Sequence, residues 1–190
     1  MLGCASVSLE PIADPTKRIE FAGFSILPPQ GPQWARGSAE TLPSTESGVV
    51  YRAVFFRTPA ETDRTSGTSP RVLAVVMVRD LGETRFRSPA DFVNSMRTLG
   101  ARTRQRYKIL GSGASLVERA DATCAAYDYE AEDAGVVLTV RGVRCLHPQW
   151  PNYAVDVSYN QRHPAGQPPI AMDAEVDPFL RSLEFTPDRP

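Results

Sequence analysis

Long apolar runs and an excess of basic charge are both missing from this chain of 190 residues. No run of about 18 apolar residues occurs, so the sequence predicts no membrane-spanning helix. The formal net charge is −1 and the pI is about 6.1. We expect no nucleic-acid partner, because binding phosphates requires a basic surface. The hydrophobic fraction of 42% excludes collagen-like and wholly disordered chains and suits a folded core.

Residues that could carry catalysis or bind metals are equally scarce. Each of the two histidines, His147 and His163, is followed by a proline in a loop-like segment, and their spacing forms no zinc-ligand cluster. We therefore expect both to be solvated loop histidines. The nucleophile motif G-x-S-x-G does not occur in the sequence. The glycine-rich segment 111–115 precedes strand-like residues rather than a helix, which favours a bulge over a phosphate-binding loop. The sequence predicts neither an enzyme nor a bound cofactor.

Three cysteines are present, and the first lies close to the start of the chain. Leu2, Gly3 and Cys4 match the end of a bacterial lipobox, which predicts an acylated Cys4 carrying palmitate-like chains and a membrane-anchored lipoprotein. Residues 1–18 contain small residues, prolines and scattered charges, and they predict a flexible tether. The residue after Cys4 is alanine rather than aspartate, so we expect the outer membrane of a bacterial envelope rather than the inner one. A free thiol on a frayed terminus is the alternative.

The other two cysteines, Cys124 and Cys145, lie in a segment that predicts a β-hairpin. A register that places them opposite each other also sets Asp128 opposite Arg141, so that charges face charges. A three-residue Asp-Ala-Gly turn would shift this register by one residue and set Cys124 against Arg144. Directly opposed cysteines are close enough to be bridged, so the side-chain pairing predicts a disulfide and an oxidising compartment such as the periplasm. Two reduced, buried cysteines in a cytosolic protein are the alternative.

Hydrophobic periodicity predicts one α+β domain with a predominantly antiparallel sheet. One helix should begin at Ser88, a good N-cap followed by proline, and stop at Gly100, with a weak extension through 101–106 as the alternative. Residues 58–70 contain many turn formers and predict a mobile loop, whereas Arg71–Asp80 is nearly all apolar and predicts a central strand covered on both faces. The remaining predicted elements are a helix at 171–183 and strands at 19–29, 34–39, 48–57, 107–119, 122–131, 136–146 and 151–160.

The element order and two loose motifs resemble a known superfamily. The opening motif is the segment 23–29 (GFSILPP), followed by Gly31 and Trp34, and the closing motif is the segment 179–185 (FLRSLEF). Both look like the PsbP/Mog-like superfamily, which includes small bacterial envelope lipoproteins of the DcrB type. The resemblance covers residues 19–186 and implies an α/β/α sandwich around an antiparallel sheet. Members differ in function, so the resemblance implies no activity. Residues 187–190 should form a frayed tail.

These observations favour a lipid-anchored envelope protein that acts by binding, as an accessory or assembly factor. Its partners would be the membrane, through Cys4, and an envelope protein. A periplasmic carrier of a small molecule or a metal is a second hypothesis. A hydrolase or other enzyme, which no specific motif supports, is a third, and a cytosolic interaction module of the Mog type is a fourth. Aromatic and imidazole side chains favour recognition surfaces. The residues proposed for such a ligand or partner surface are Trp34, His147, Trp150 and Tyr153.

Overall fold

The fold is described from a computed structural model, which places residues 9–37, 40–41, 48–59, 71–104 and 107–190. In these ranges the chain forms twelve strands and two helices. The helices are α1 (Pro89–Arg104) and α2 (Asp173–Arg181). The strands are β1 (Leu9–Pro11), β2 (Ile19–Phe21), β3 (Phe24–Ile26), β4 (Trp34–Gly37), β5 (Glu40–Thr41), β6 (Val49–Arg57), β7 (Arg71–Asp80), β8 (Lys108–Val117), β9 (Cys124–Asp133), β10 (Val136–Leu146), β11 (Tyr153–Pro164) and β12 (Glu184–Phe185).

The strands form a large sheet and a small sheet, and every described pairing is antiparallel. The large sheet has the order β1-β4-β6-β7-β11-β10-β9-β8, with β5 added beside β6, and the small sheet has the order β12-β3-β2. The prediction of an α+β fold with a predominantly antiparallel sheet is therefore confirmed. Within the described ranges, no helix is long and apolar enough to cross a bilayer.

The predicted hairpin forms between β9 and β10 in the register that the side chains favoured. Cys124 faces Cys145 with a Cα–Cα distance of 4.0 Å, and the two are joined by a disulfide. Asp128 faces Arg141, as predicted. The alternative prediction of a three-residue Asp-Ala-Gly turn is wrong, because only Ala134 and Gly135 lie between the two strands. Both have positive φ, 49° and 79°, which suits a tight turn between twisted strands.

The segment predicted as one strand at 19–29 is itself a tight hairpin of β2 and β3. The chain reverses at Ala22 and Gly23, where glycine adopts a φ of 82°. An added Cβ at Gly23 would lie 2.8 Å from the carbonyl oxygen of Asp188, so the position also requires close approach of the chain end. The apolar residues that looked like one strand, Phe21 and Phe24, stack across this turn with ring centroids 4.9 Å apart.

Helix α1 begins as predicted, and the Ser88 hydroxyl accepts a hydrogen bond from the Asp91 backbone N–H at 3.2 Å. The helix does not stop at Gly100 but continues to Arg104, within the extension that the sequence left open. A glycine inside a helix costs only about 1 kcal/mol and does not by itself end one. Helix α2 is shorter than predicted and contains Pro178 in its second half. The glycine-rich segment lies in β8, whose register shifts between Ile109 and Gly111, as a bulge requires.

The two helices lie on opposite faces of the large sheet. We call the side that packs against α2 and the small sheet the α2 face, and the side that carries α1 the α1 face. On the α2 face the main core includes Phe55, Val155 and Phe179, which are fully buried. On the α1 face a smaller cluster joins Phe92, Val93 and Met96 of α1 to Ala125 of β9. Strand β7 is interior to the sheet, but its α1-face side chains are only half-buried, unlike the prediction. The full α/β/α sandwich stays a prediction.

Both chain ends differ from their predictions. Part of the predicted tether forms β1, which pairs with β4. Residues 1–8, which include Cys4, lie outside the described residues, and so does 60–70 of the predicted loop. The predicted frayed tail packs on the fold, because Arg189 donates from Nη2 to the Tyr153 hydroxyl at 2.6 Å.

Candidate functional site

The four residues proposed as a surface do not form one surface. Trp34 is 2% exposed and packs in the main core. Its indole N–H donates to Glu175 Oε2 at 2.8 Å, and Arg57 binds the same carboxylate. These contacts join β4 and β6 to α2 on the α2 face. The assignment of Trp34 to a binding surface is therefore wrong, because its polar atom is used inside the fold.

His147 and Trp150 lie in the loop between β10 and β11, and Tyr153 is the first residue of β11. Hydrogen bonds among the three residues hold this loop against the fold. His147 is 1% exposed and Tyr153 is 6% exposed, so neither presents a surface. The backbone N–H of Trp150 donates to His147 Nδ1 at 3.1 Å, and the Tyr153 N–H donates to the Trp150 carbonyl at 2.8 Å. Trp150 is 36% exposed, although its indole N–H donates to the Pro187 carbonyl at 3.3 Å.

His147 is a buried structural residue, and its prediction as a solvated loop histidine is wrong. Since Nδ1 accepts a backbone hydrogen bond, the neutral ring carries its proton on Nε2, which lies 3.0 Å from the Gly23 carbonyl oxygen. Burial lowers the pKa of His147 below its ordinary value of 6.5, and the hydrogen bonds to backbone oppose this shift only in part. The ring also packs edge-on against Phe185, with centroids 4.9 Å apart.

His163 is also buried, at 7% exposure, and it belongs to β11 rather than to a loop. Its Nε2 lies 3.4 Å from the Thr139 hydroxyl on the neighbouring strand. The strand continues to Pro164, where the sequence predicted a loop from residue 162. Across the described part of the chain, no group of three or more His, Cys, Asp or Glu residues could hold a metal ion.

A concave site that the sequence did not predict lies on the α1 face. It is a cleft of about 480 Å³ that runs over the middle strands of the large sheet towards α1, and we call it the cleft. Because opposed residues in antiparallel strands share a face, its floor collects alternate residues of β6, β7, β11, β10 and β9. Its volume lies within the range of about 300–1,000 Å³ that is typical of small-molecule sites.

The middle of the cleft floor is apolar. Val75 of β7 faces Val54 of β6 on one side and Ser158 of β11 on the other. Leu73 and Met77 precede and follow Val75 on the same face of β7, and all three are half-buried. Their counterparts on the α2 face, such as Val76, are fully buried. The apolar floor therefore retains contact with solvent along the centre of the sheet.

One end of the floor holds a buried polar cluster, which we call the Asp156 cluster. Its members are Arg79 of β7, Tyr127 of β9, Arg144 of β10 and Asp156 of β11, brought onto one face by the strand registers. Asp156 is fully buried and accepts a hydrogen bond from the Tyr127 hydroxyl at 2.6 Å. Its other oxygen accepts from Arg144 Nε at 2.8 Å and also from Arg144 Nη2. Arg79 Nε lies 3.8 Å from that second oxygen.

The Asp156 cluster has one more positive charge than negative. Burial first, and the neighbouring Arg144 charge second, lower the pKa of Arg79, and Asp156 offsets them only in part. Burial would also lower the pKa of Arg144, but the carboxylate beside it reverses the shift and raises that pKa. Burial and the Asp156 charge raise the pKa of Tyr127 well above its ordinary 10.0, so its hydroxyl stays protonated and donates. Two arginines thus share one carboxylate at the end of the cleft.

The whole cleft repeats this excess of positive charge. Among the described residues that line it are five arginines, against two aspartates. The complete chain, in contrast, has a net charge of −1. The lining arginines are Arg52, Arg79, Arg97, Arg144 and Arg162. Positive charge therefore exceeds negative charge among the described residues that line the cleft.

Sequence reasoning missed this site because its members are far apart along the chain. In the sequence, the most regular pattern near Asp156 is the alternation of Tyr153, Val155, Val157 and Tyr159, which lie on the opposite face of the strand from Asp156. The available signal was a lone aspartate between two valines, Val155 and Val157, because a buried carboxylate requires a partner. The partner itself could not be found without the register between β10 and β11.

No protein-family model matches this sequence, and no curated protein matches it. Two solved structures resemble the chain over most of its length. LpqN of Mycobacterium tuberculosis, which is involved in cell envelope biogenesis, is 14% identical, with a TM-score of 0.48 over 96% of this chain and 92% of that chain. Cyanobacterial PsbP (CyanoP) of Synechocystis sp. PCC 6803 is 12% identical, with a TM-score of 0.44 over 97% of this chain and 95% of that chain.

Proposed function

We propose that this chain is a lipid-anchored protein of a bacterial envelope that acts by binding, as an accessory factor, through the cleft on its α1 face. The cleft carries the proposal, because it joins a half-buried apolar floor to a few fixed polar groups, as binding sites do. The disulfide between Cys124 and Cys145 supports an oxidising compartment. The lipobox-like residues before Cys4 support the anchor.

The arrangement of the Asp156 cluster favours binding over catalysis. Both oxygens of Asp156 accept hydrogen bonds inside the cluster, from Tyr127 and from Arg144. A general base needs a free oxygen within reach of the proton that it takes. The cluster instead supports the cleft wall with fixed charge, which suits recognition.

A carrier of a small molecule in the same compartment is the second candidate, and the same cleft favours it. The accessory factor and the carrier differ in what happens to the bound molecule. A carrier releases its ligand elsewhere, whereas an accessory factor keeps a partner in place. The cytosolic module of the Mog type requires free thiols at Cys124 and Cys145, so thiol counting on unfolded, non-reduced protein separates it from the envelope proposals.

The cleft is tested by the uncharged fluorescent dye Nile red, which reports apolar binding sites. We expect its fluorescence to rise with the native protein and to fall back with Val75→Glu, which places a carboxylate on the apolar floor. Ser115→Glu is the matched control, because Ser115 is exposed on β8 and lies outside the cleft lining. Equal fluorescence with Val75→Glu and the native chain would show that the dye binds outside the cleft. That result would contradict the cleft as the binding site.

The anchor is tested separately, with the chain behind a lipoprotein signal peptide in a bacterium. We expect the protein to be acylated at Cys4 and to fractionate with the outer membrane, and we expect Cys4→Ser to move it to the soluble fraction. Retention of the Cys4→Ser protein in membranes washed with high salt would contradict the lipid anchor. The proposal that the cleft binds a ligand would not be affected.

A further inference from the structure

We propose that two copies of this chain associate through the outer edge of β8, the strand at one end of the large sheet. Strand β8 pairs with β9 on its inner side, and no other described strand pairs with it. It has ten residues, whereas β1 at the opposite end of the sheet has three. Such an edge presents a row of backbone N–H and C=O groups that another strand can complete. The dimer depends on neither the ligand of the cleft nor the lipid anchor, so it goes beyond the proposed function.

The registers on the inner side of β8 fix the direction of its backbone groups. The Leu146 N–H donates to the Thr123 carbonyl at 2.9 Å, which makes these opposed residues a hydrogen-bonded pair. Hydrogen-bonded and non-hydrogen-bonded pairs alternate along antiparallel strands, so Cys124 and Cys145 form a non-hydrogen-bonded pair. The N–H and C=O of Cys124 therefore point towards β8, where Cys124 faces Val117. In β8, Val117 and every second residue before it, as far as the bulge, direct their backbone groups to β9.

The intervening residues of β8, which are Ser112, Ala114 and Leu116, direct their N–H and C=O groups away from β9. One contact supports this assignment, because Arg97 of α1 donates from Nη2 to the Ala114 carbonyl at 3.2 Å. The carbonyl oxygen has a second lone pair for another donor. The segment 109–117 contains no charged residue, so the edge lacks the charges that protect many edge strands from pairing.

The side chains of β8 favour a second copy of the same strand as the partner. A two-fold axis at Gly113 pairs two antiparallel copies of β8 and places Gly113 opposite itself. This register sets Leu110 of each copy beside Leu116 of the other, and both leucines are exposed, at 45% and 51%. It also brings Lys108 of each copy close to Glu118 of the other, and both are exposed. Apolar side chains therefore meet apolar ones and opposite charges meet at both ends, as cross-strand pairing prefers.

The symmetry of this pairing sets the size and the shape of the assembly. The two-fold axis is perpendicular to the combined sheet, so the α1 faces of both copies lie on the same side. Ser112 and Gly113 line the cleft at its β8 end, so the two clefts would open side by side across the axis. Each copy uses its β8 edge once, and the contact is the same patch on both copies. The interface therefore closes at a dimer and does not propagate into fibres.

The experiment is sedimentation equilibrium of the full chain over a range of concentrations. Every protein carries Cys4→Ser, so that a disulfide between two chain starts cannot imitate the dimer. One pair of strand edges is a small interface, so we expect a dissociation constant of about 100 µM. Leu116→Glu places a carboxylate against Leu110 of the other copy, and we expect it to raise this constant at least about tenfold. Leu9→Glu is the matched control, because Leu9 is also 51% exposed but lies on β1 at the opposite edge.

A mixture of two variants tests the register itself. We expect Leu116→Glu and Leu110→Lys each to be monomeric alone, since either homodimer would place two charged side chains against leucines. We expect their equimolar mixture to form a heterodimer, because the introduced carboxylate faces the introduced ammonium while the remaining two leucines still meet. Circular dichroism melting confirms that each variant is folded.

Four results would overturn the dimer. A parent chain that stays monomeric at about 1 mM would leave the β8 edge to an extended segment of another protein. Dimers of Leu116→Glu as stable as those of the parent chain would place the association away from β8. Equal weakening by Leu9→Glu would show that association follows general surface hydrophobicity. If the parent chain forms dimers and the mixture of Leu116→Glu with Leu110→Lys stays monomeric, the two-fold axis does not lie at Gly113 and the proposed pairing is wrong.

Discussion

The two faces of the large sheet are made from alternate residues of the same strands, yet they bury different chemistry. On the α2 face, Val76, Val155 and Val157 are fully buried beneath α2 and the small sheet. On the α1 face, the neighbouring Val75 is half-buried, and a charged residue, Asp156, occupies the middle of β11. The α2 face therefore contains the main core, whereas the centre of the α1 face is only half-buried and has a buried ion pair at one end.

The comparison predicts its largest effect at the buried ion pair of the α1 face. Asp156→Asn removes the charge that balances Arg144 and Arg79 but keeps the shape of the side chain. Leaving buried charges without their partner costs about 3–5 kcal/mol, so we expect the free energy of unfolding in urea to fall by that amount.

Asp173→Asn provides the matched control for this substitution. Asp173 also binds an arginine, Arg141, but its side chain is 72% exposed at the start of α2. An exposed ion pair contributes less than about 1 kcal/mol. A loss at Asp156 no larger than the loss at Asp173 would show that the Asp156 cluster has no special role in the fold.

The second prediction concerns the disulfide that joins β9 and β10 on the α2 face. The two cysteines are 21 residues apart, and cross-linking a loop of this size restricts the unfolded chain by about 3 kcal/mol. We expect Cys124→Ala with Cys145→Ala to lower the free energy of unfolding by about this amount, in a Cys4→Ser background. Added reductant should lower the stability of the parent protein and leave the double variant unchanged. Equal sensitivity of both proteins to reductant would contradict the disulfide.

The third prediction compares neighbouring residues of β7 directly. Val76→Ala empties space in the main core, whereas Val75→Ala enlarges the cleft, where water fills the space. Loss of buried methyl groups with a cavity costs about 2 kcal/mol, so Val76→Ala should be the more destabilising by at least about 1 kcal/mol. Both changes lose the same strand propensity, which cancels in the difference. Equal losses in urea titrations would mean that the two faces are equally closed.

What the sequence could predict follows from how far apart the interacting residues lie. The register of β9 and β10 was predictable because opposed side chains on a hairpin are close in sequence, and Cys124 facing Cys145 selects one pairing. The predicted charge pair on that hairpin illustrates the limit. Asp128 faces Arg141 as expected, but Arg141 forms its ion pairs with Asp173 and Asp177 of α2. Local pairing sets the backbone, whereas the tertiary fold decides which carboxylate an arginine reaches.

The candidate site shows the same limit more strongly. The burial of His147 could not be predicted, because its acceptor, the Gly23 carbonyl, lies 124 residues away in the sequence. The cleft was missed because Tyr127, Arg144 and Asp156 meet only through the registers of three strands. A proline beside a histidine indicates a loop, but it carries no information on whether that loop is covered by another part of the chain.

The smallest predicted effect concerns His147, a polar residue that is buried on the α2 side. His147 is held neutral, because burial lowers its pKa in the folded state below the ordinary 6.5. Protonation is therefore easier in the unfolded state, so the stabilising contribution is complete above that ordinary pKa and is lost as the pH falls through it. We expect the urea midpoint of the native chain to decrease between about pH 7.5 and 5.5, and we expect His147→Gln to remove this part of the decrease. The Gln variant should be less stable at the higher pH, since its amide fits the space between Gly23 and Phe185 less well, and the two proteins should converge on acidification. Parallel pH profiles of the two proteins would mean that His147 is equally protonated in the folded and unfolded states. That result would contradict the lowering of its pKa by burial.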